Sequence, residues 1–231
     1  MKAYANANKN PLALMKARKM DLATAGSVNE KNPCFLQNAE YAPFIKMSDC
    51  SQVSDGASAC LVVSEEGLKA AGKTYADAIE ITGYGHSTAS LYEDGDLTQL
   101  WTTKSAAEKA YRAAGIAPGD VNVAEVHDCF TVTELLMTEA LGFAAPGKGA
   151  DLVKEGATNI DGRLPVNTGG GLVGFGHPVG ATGVKQAVEI WKQMKGLSGA
   201  YQMPSTPKVG LTANMGGDDR TVMVTAFRNL E

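Results

Sequence analysis

Hydrophobic and polar positions along this chain come in blocks that switch between the two-residue spacing of strands and the three-to-four-residue spacing of helices. Five short apolar runs predict strands: Ser58–Val63, Ala78–Tyr84, Val121–Val126, Val209–Ala213 and Thr221–Ala226. Residues with capping chemistry mark the helices between them: Ser64 to Gly72, Ser105 with Glu108, and Thr131 with Glu134 to Gly142. Strands that alternate with helices and end in a hairpin predict an α/β fold with a mixed sheet.

Two stretches break this pattern. Residues 1–49 show no regular spacing of apolar positions, and one short helix is predicted to begin at Pro11. This stretch is predicted to form a lobe or lid without a hydrophobic core of its own. Residues 167–183 contain seven glycines in seventeen positions, too many for the interior of a helix or strand. This run is predicted to be a loop that leads directly into a helix from about Val184.

The composition is that of a folded protein without an extended surface for nucleic acid or lipid. Of 231 residues, 44% are hydrophobic and 20% are charged, and the net charge is −4. Because there is no basic stripe, no apolar run near the length of about 20 residues that a membrane helix requires, and no secretory signal, we expect a cytoplasmic protein with no nucleic acid and no membrane partner. The four cysteines lack CxxC spacing and are predicted to be reduced.

His127 and Cys129 stand two residues apart at the end of a predicted strand, directly before a predicted helix. In an extended backbone both side chains point to one face, and a helix dipole with a nearby imidazolium would lower the pKa of the thiol. Such a thiol suits proton transfer or nucleophilic attack. A buried core thiol beside a hydrogen-bonded strand-end histidine fits the spacing equally well.

His177 lies inside the glycine-rich run, one turn before a predicted helix. A histidine in such a frame, beside backbone N–H groups, can serve developing negative charge; the alternative is a histidine on a surface turn. A nucleotide-binding loop fits poorly, because neither GxGxxG nor GK[ST] is present. A metal site built from these histidines, the cysteine and Asp128 is disfavoured, because no ligand spacing repeats.

Four motifs, in this order along the chain, together resemble the thiolase superfamily: DCSQVSDGASA at Asp49–Ala59, HDCF at His127–Phe130, NTGGGLVGFGHPVGATG at Asn167–Gly183 and NMGG at Asn214–Gly217. The resemblance extends over nearly the whole chain. HDCF, in place of the more usual Asn-Glu-Ala-Phe, is similar to the sterol-carrier-protein-type and archaeal thiolases.

The resemblance implies a fold and a division of the chain. It implies a thiolase-like C-terminal domain at residues 50–231, with a mixed five-stranded sheet and helices on its faces, preceded by part of the family's loop lobe at residues 1–49. Thiolases have two similar βαβαβαββ domains, and the cysteine that becomes acylated belongs to the N-terminal one. That half is missing from this sequence, and the family nucleophile is matched by none of Cys34, Cys50 and Cys60.

Site roles also follow from the resemblance. His177 would take the proton from the nucleophilic cysteine and help hold the thioester oxygen, and His127 would donate to the enolate oxygen of an acyl-CoA. Asn214 stands where the family usually has its second cysteine, so Cys129 would be the general base. Asp128 would be a structural or orienting acid.

Weaker transfers concern coenzyme A and partners. Ser51 would touch the pantetheine arm, and Gly217 would offer a backbone contact. The implied activity is that of an acyl-CoA C-acyltransferase, which cleaves 3-oxoacyl-CoA by thiolysis or runs the reverse Claisen condensation, needs no cofactor or metal, and is inactive without its missing N-terminal half. The complete protein is expected to be a homo-oligomer, and a small zinc-containing partner protein is conceivable. The alternative is a non-catalytic thiolase-like subunit that binds coenzyme A or partner chains.

Overall fold

Helices and strands alternate between residues 65 and 140 in a computed structural model, which describes residues 1–36, 38, 40–92, 95–96 and 98–230. The helices are α1 Lys2–Ala7, α2 Leu22–Gly26, α3 Glu65–Ala70, α4 Trp101–Ala114, α5 Thr131–Ala140, α6 Gly149–Lys154, α7 Gly171–Phe175 and α8 Thr182–Met194. The strands are β1 Ile79–Thr88, β2 Val123–Val126, β3 Val209–Gly216 and β4 Thr221–Asn229. Within the described residues, no helix has the length and apolar character needed to cross a membrane.

The four strands form one mixed sheet in the order β1-β4-β3-β2. β4 runs antiparallel to both β1 and β3, and β2 runs parallel to β3. The predicted α/β class and mixed sheet are therefore confirmed. The predicted number of five strands is wrong, because the sheet of the described residues has four.

The strand predicted at Ser58–Val63 accounts for the difference, since this segment has no regular secondary structure. Leu61 and Val62 are 91% and 77% exposed. Alternation and β-branched residues favour an extended backbone, but a strand also needs a neighbouring backbone to pair with. No strand pairing in the described part of the chain includes this segment, so the sheet ends at β1.

Apolar side chains fill both faces of the sheet. On one face, α4 buries the apolar stripe that its sequence predicts, with Ala106 and Ala110 fully buried. Gly85 of β1 allows the close approach of this helix, because a Cβ there would lie 2.0 Å from the carbonyl oxygen of Ala106. On the other face, α8 contributes Ile190 and Met194 to a second, smaller cluster.

Two predicted capping boxes are wrong, because side chains distant in sequence occupy the positions concerned. α4 begins at Trp101, and its Thr102 and Thr103 N–H groups donate to the carboxylate of Asp219 at 2.9 and 3.0 Å. At the start of α5, Glu134 accepts from Lys2 instead of bonding back to its own helix. Tertiary contacts therefore set both helix starts.

The remaining boundaries are mixed. Ser64 caps α3 as predicted, since its Oγ accepts from Gly67 N at 3.2 Å. Gly72, just past this helix, has φ +67°. No helix begins at Pro11; instead α1 forms upstream of it and packs against α7.

Candidate functional site

The two histidines singled out by the sequence lie in contact. His127 directly follows β2, and His177 lies in the turn between α7 and α8. Their ring centroids are 5.1 Å apart with an interplanar angle of 88°. Both are buried. The end of the sheet and the glycine-rich run therefore bring together two imidazoles that are far apart in sequence.

An extended segment, Cys50–Val53, holds both histidine-bearing stretches, and we call it the bridging segment. Ser51 N donates to Cys129 O at 2.8 Å, and His177 N donates to Gln52 O at 2.9 Å. Isolated β-bridges at the two ends of the segment reinforce these bonds. Because Ser51 and Gln52 are adjacent, the backbones of Cys129 and His177 flank the same short piece of chain.

Asp128 joins the end of β2 to the start of α7. Its carboxylate accepts from Leu172 N at 2.6 Å and from Val173 N at 3.5 Å. Burial raises the pKa of this carboxyl, and the nearby Glu134 raises it further. Gly171 has φ +60°, and a Cβ on it would lie 2.3 Å from the carboxylate. The glycine-rich run therefore contains a short helix that the sequence prediction of a loop missed.

Thr182, the first residue of α8, orients His177. Its Oγ1 donates to Pro178 O at 3.1 Å, so it must accept from His177 Nδ1, which lies 2.8 Å away. The proton of a neutral His177 is therefore on Nδ1, and Nε2 has a free lone pair. Burial lowers the pKa of this imidazole, which keeps it neutral. The sequence prediction missed Thr182, although a hydroxyl at the start of the following helix was a usable signal.

Asn214 reaches the site from β3. Its Nδ2 lies 3.4 Å from His127 Nδ1 and donates to Gln186 Oε1 at 3.2 Å. Val126 pairs with Ala213 in the parallel register, so the next residue of each stretch emerges at the same edge of the sheet. The sequence drew attention to Asn214 only because it stands where the family usually has a cysteine. Its contact with His127 could not be predicted without knowing that β2 pairs with β3.

Cys129 is half-buried, with its Sγ 3.9 Å from Thr133 Oγ1 in the first turn of α5. Burial raises the pKa of this thiol, the hydrogen bond with Thr133 lowers it by less, and Asp128 raises it. The predicted lowering is therefore wrong, because burial outweighs the helix and because His127 is neutral. At neutral pH Cys129 is a thiol.

The other predicted residues lie at the margins. Ser51, in the bridging segment, is beside Cys129. Gly217 is exposed in the turn between β3 and β4, with φ +62°, three residues beyond Asn214. Within the described ranges, no group of three His, Cys, Asp or Glu side chains could hold a metal ion.

Protonation of His127 is expected to destabilise the fold as pH drops from about 6.5 to about 4. Burial, and then the neighbouring His177, lower the pKa of His127 to about 4. An unfolded histidine binds its proton below about 6.5, so in this window the unfolded state takes up more protons than the folded state and is favoured.

The measurement is urea unfolding at several pH values for the protein and a His127→Asn variant. Glu125, whose pKa burial raises to about 7, acts in the opposite direction, since its contribution to stability is lost as pH rises. The difference between the two proteins isolates the histidine. Equal pH slopes for both proteins would contradict the expectation.

The sequence of this chain matches a known family. The profile described as "Thiolase C-terminal domain-like" matches residues 83–228. The chain belongs to this family. The resemblance inferred from the motifs of the thiolase superfamily is thereby confirmed.

Curated relatives agree with this assignment. The chain is 37% identical to the acetyl-CoA acetyltransferase of Methanothermobacter thermautotrophicus, over 83% of this chain and 50% of that protein. It is 37% identical to human sterol carrier protein 2, over 84% of this chain and 36% of that protein. The chain thus spans about half the length, or less, of these two relatives.

A solved structure shares the fold. The structure titled "Ltp2-ChsH2(DUF35) aldolase" superposes with a TM-score of 0.79 at 23% sequence identity, covering 99% of this chain and 56% of that chain. The thiolase-like α/β fold inferred from the sequence is therefore confirmed across the described residues.

Proposed function

We propose that this chain is the acid–base half of a thiolase that cleaves 3-oxoacyl-CoA, with the nucleophilic cysteine in the part of the longer relatives that this chain does not span. The observation that supports it most directly is the buried pair of neutral imidazoles, one of which, His177, has a free Nε2 lone pair. A relative named acetyl-CoA acetyltransferase at 37% identity supports the reaction class.

In the proposed reaction, His177 Nε2 accepts the proton of the nucleophilic thiol as sulfur adds to the C3 carbonyl of the substrate. The C2–C3 bond then breaks, which leaves an acyl thioester on the protein and the enolate of the departing acyl-CoA. His127 donates a hydrogen bond to the enolate oxygen, and Cys129 gives its proton to C2. The proton on His177 then passes to the Cys129 thiolate. His177 finally accepts the proton of the coenzyme A thiol as that thiol attacks the acyl thioester, and returns it to the sulfur of the leaving nucleophilic cysteine.

The protonation state of Cys129 suits its proposed role as the proton donor in cleavage. Burial raises its pKa, so at neutral pH it carries the proton that the enolate carbon must receive. The reverse Claisen condensation needs the thiolate, which is the less stable form in this environment.

Binding of the substrate is proposed to involve Ser51. The backbone of Ser51 is hydrogen-bonded to Cys129, so a pantetheine arm that lies along the bridging segment would end at the reacting thiol. Gly217 lies in the turn directly after β3 and is proposed only as a backbone contact.

A non-catalytic role is the second candidate. Asn214 occupies the place of a catalytic cysteine of the family, and the solved structure of similar fold has a DUF35 chain in its title. A subunit that binds coenzyme A or a small partner protein would need the same fold without the chemistry.

The test joins this chain to the N-terminal half of the Methanothermobacter acetyltransferase, by fusion or co-expression. We expect thiolysis of acetoacetyl-CoA, followed by the loss of its absorbance, from the combined protein and none from this chain alone. Turnover by the chain alone would contradict the assignment of the nucleophile to another part. A combined protein that binds coenzyme A without turnover would favour the second candidate.

A further inference from the structure

We propose that Asn214, itself held by Gln186, is a positioning residue that fixes His127 in the tautomer with its proton on Nε2. The inference deepens the proposed function, on which its catalytic consequence rests. It concerns which nitrogen of His127 can donate a hydrogen bond to a developing oxyanion, because a neutral imidazole has one donor and one acceptor.

The direction of the hydrogen bonds from Gln186 through Asn214 to His127 is set by a backbone carbonyl. Ala213 O can only accept, and Gln186 Nε2 donates to it at 3.5 Å. The other end of the Gln186 amide, its Oε1, therefore faces Asn214 and can only accept. Gln186 is completely buried on α8, so bulk water does not reach its amide.

This arrangement dictates the orientation of Asn214. Its Nδ2 donates to Gln186 Oε1 at 3.2 Å, which places the same NH₂ group 3.4 Å from His127 Nδ1. An NH₂ group has two protons and no acceptor, so Nδ1 of His127 has to accept. The proton of a neutral His127 is then on Nε2, to which none of the described residues is hydrogen-bonded.

The neighbouring histidine has the opposite arrangement. Thr182 accepts from His177 Nδ1, so His177 is the Nδ1–H tautomer with an accepting Nε2. Two imidazoles 5.1 Å apart are thereby made different: His127 offers a donor and His177 an acceptor. The proposed thiolysis requires one of each, a donor for the enolate oxygen and an acceptor for the proton of the nucleophile.

The direct test is nuclear magnetic resonance of the chain labelled with ¹⁵N in histidine, because the two ring nitrogens of each tautomer have distinct shifts. The sequence has only three histidines, His86, His127 and His177, which makes assignment by single substitution practical. We expect Nε2–H for His127 and Nδ1–H for His177 in the same spectrum. Nδ1–H at His127 would overturn the proposal while leaving the roles proposed for His177 and Cys129 intact.

Two variants at Asn214, of which the aspartate has the size of asparagine, separate positioning from packing. In Asn214→Asp the group facing His127 Nδ1 becomes an acceptor, so we expect His127 to switch to the Nδ1–H form, with His177 unchanged. In Asn214→Ala the constraint is removed, and a mixture of tautomers is expected. An Nε2–H spectrum that persists in Asn214→Asp would overturn the proposal.

Kinetics of the protein joined to an N-terminal thiolase half provide the second measurement. We expect kcat to fall about 10–100-fold in Asn214→Asp with KM little changed, as for other residues that orient a functional histidine. The matched control is Asn122→Asp, at the opposite end of the β2–β3 pair, where the side-chain oxygen accepts from Lys208 N and Val209 N and an aspartate can do the same. Equal losses in the two variants would overturn the assignment.

Discussion

Replacing His177 by alanine in the protein joined to an N-terminal thiolase half is expected to lower kcat for thiolysis about 100- to 10,000-fold. In the proposed reaction, Nε2 of this imidazole accepts the proton of the nucleophilic thiol, and Thr182 and Pro178 hold the ring in the tautomer with its proton on Nδ1. Without an acceptor, the nucleophile remains a thiol at neutral pH and adds to the carbonyl slowly.

Thiolysis and acetyl exchange should both be lost in the His177→Ala variant. Exchange of the acetyl group between acetyl-CoA and labelled free coenzyme A requires the same nucleophile, so it is expected to fall along with thiolysis. The control is His86→Ala, since His86 is an exposed residue of β1 whose Nε2 is bonded to Thr221 Oγ1. Full exchange activity in His177→Ala would contradict the role given to this residue.

Replacing Cys129 by alanine is expected to produce a different pattern. Thiolysis should fall about 100- to 10,000-fold, because the enolate carbon loses its proton donor. Acetyl exchange should remain close to that of the unchanged protein, because it makes and breaks only carbon–sulfur bonds and needs no proton at carbon. The two assays on this variant therefore separate the proposed proton donor to the enolate, Cys129, from the proposed proton acceptor for the nucleophile, His177.

The control for this variant is Cys60→Ala, which removes an exposed thiol from Ser58–Val63, the segment without regular secondary structure. It should leave both activities unchanged. If Cys129→Ala lost exchange and thiolysis equally, the residue would act in structure or in nucleophile activation rather than on the enolate. If neither activity changed, Cys129 would have no catalytic role in the combined protein.

Most of the fold could be predicted from the spacing of apolar residues. The four strands and the helices α4, α5 and α8 follow the sequence pattern, because the apolar residues on one face of each lie in the hydrophobic core, whereas α6 and α7 were not predicted. The run at Ser58–Val63 could not be judged in this way, since its composition is that of a strand but pairing depends on what lies beside it. The same holds for α4, whose start is determined by Asp219 from a distant turn.

The site could be predicted in part. The spacing and motifs pointed to His127 and His177, and the structure brings those two rings together. The pKa of Cys129 could not be predicted, because it depends on burial as well as on the helix that follows. Thr182 and Gln186 were missed, since their roles depend on the direction in which each hydrogen-bonding group faces.

The bridging segment has a consequence for how this protein tolerates change. Ser51 and Gln52 hold the stretches on either side through main-chain atoms alone. Side chains there can be exchanged without breaking those two bonds, whereas the insertion or deletion of a single residue would displace one partner relative to the other by about 3.3 Å. The amino-acid sequence of this segment can therefore vary without breaking these two hydrogen bonds, whereas its length cannot.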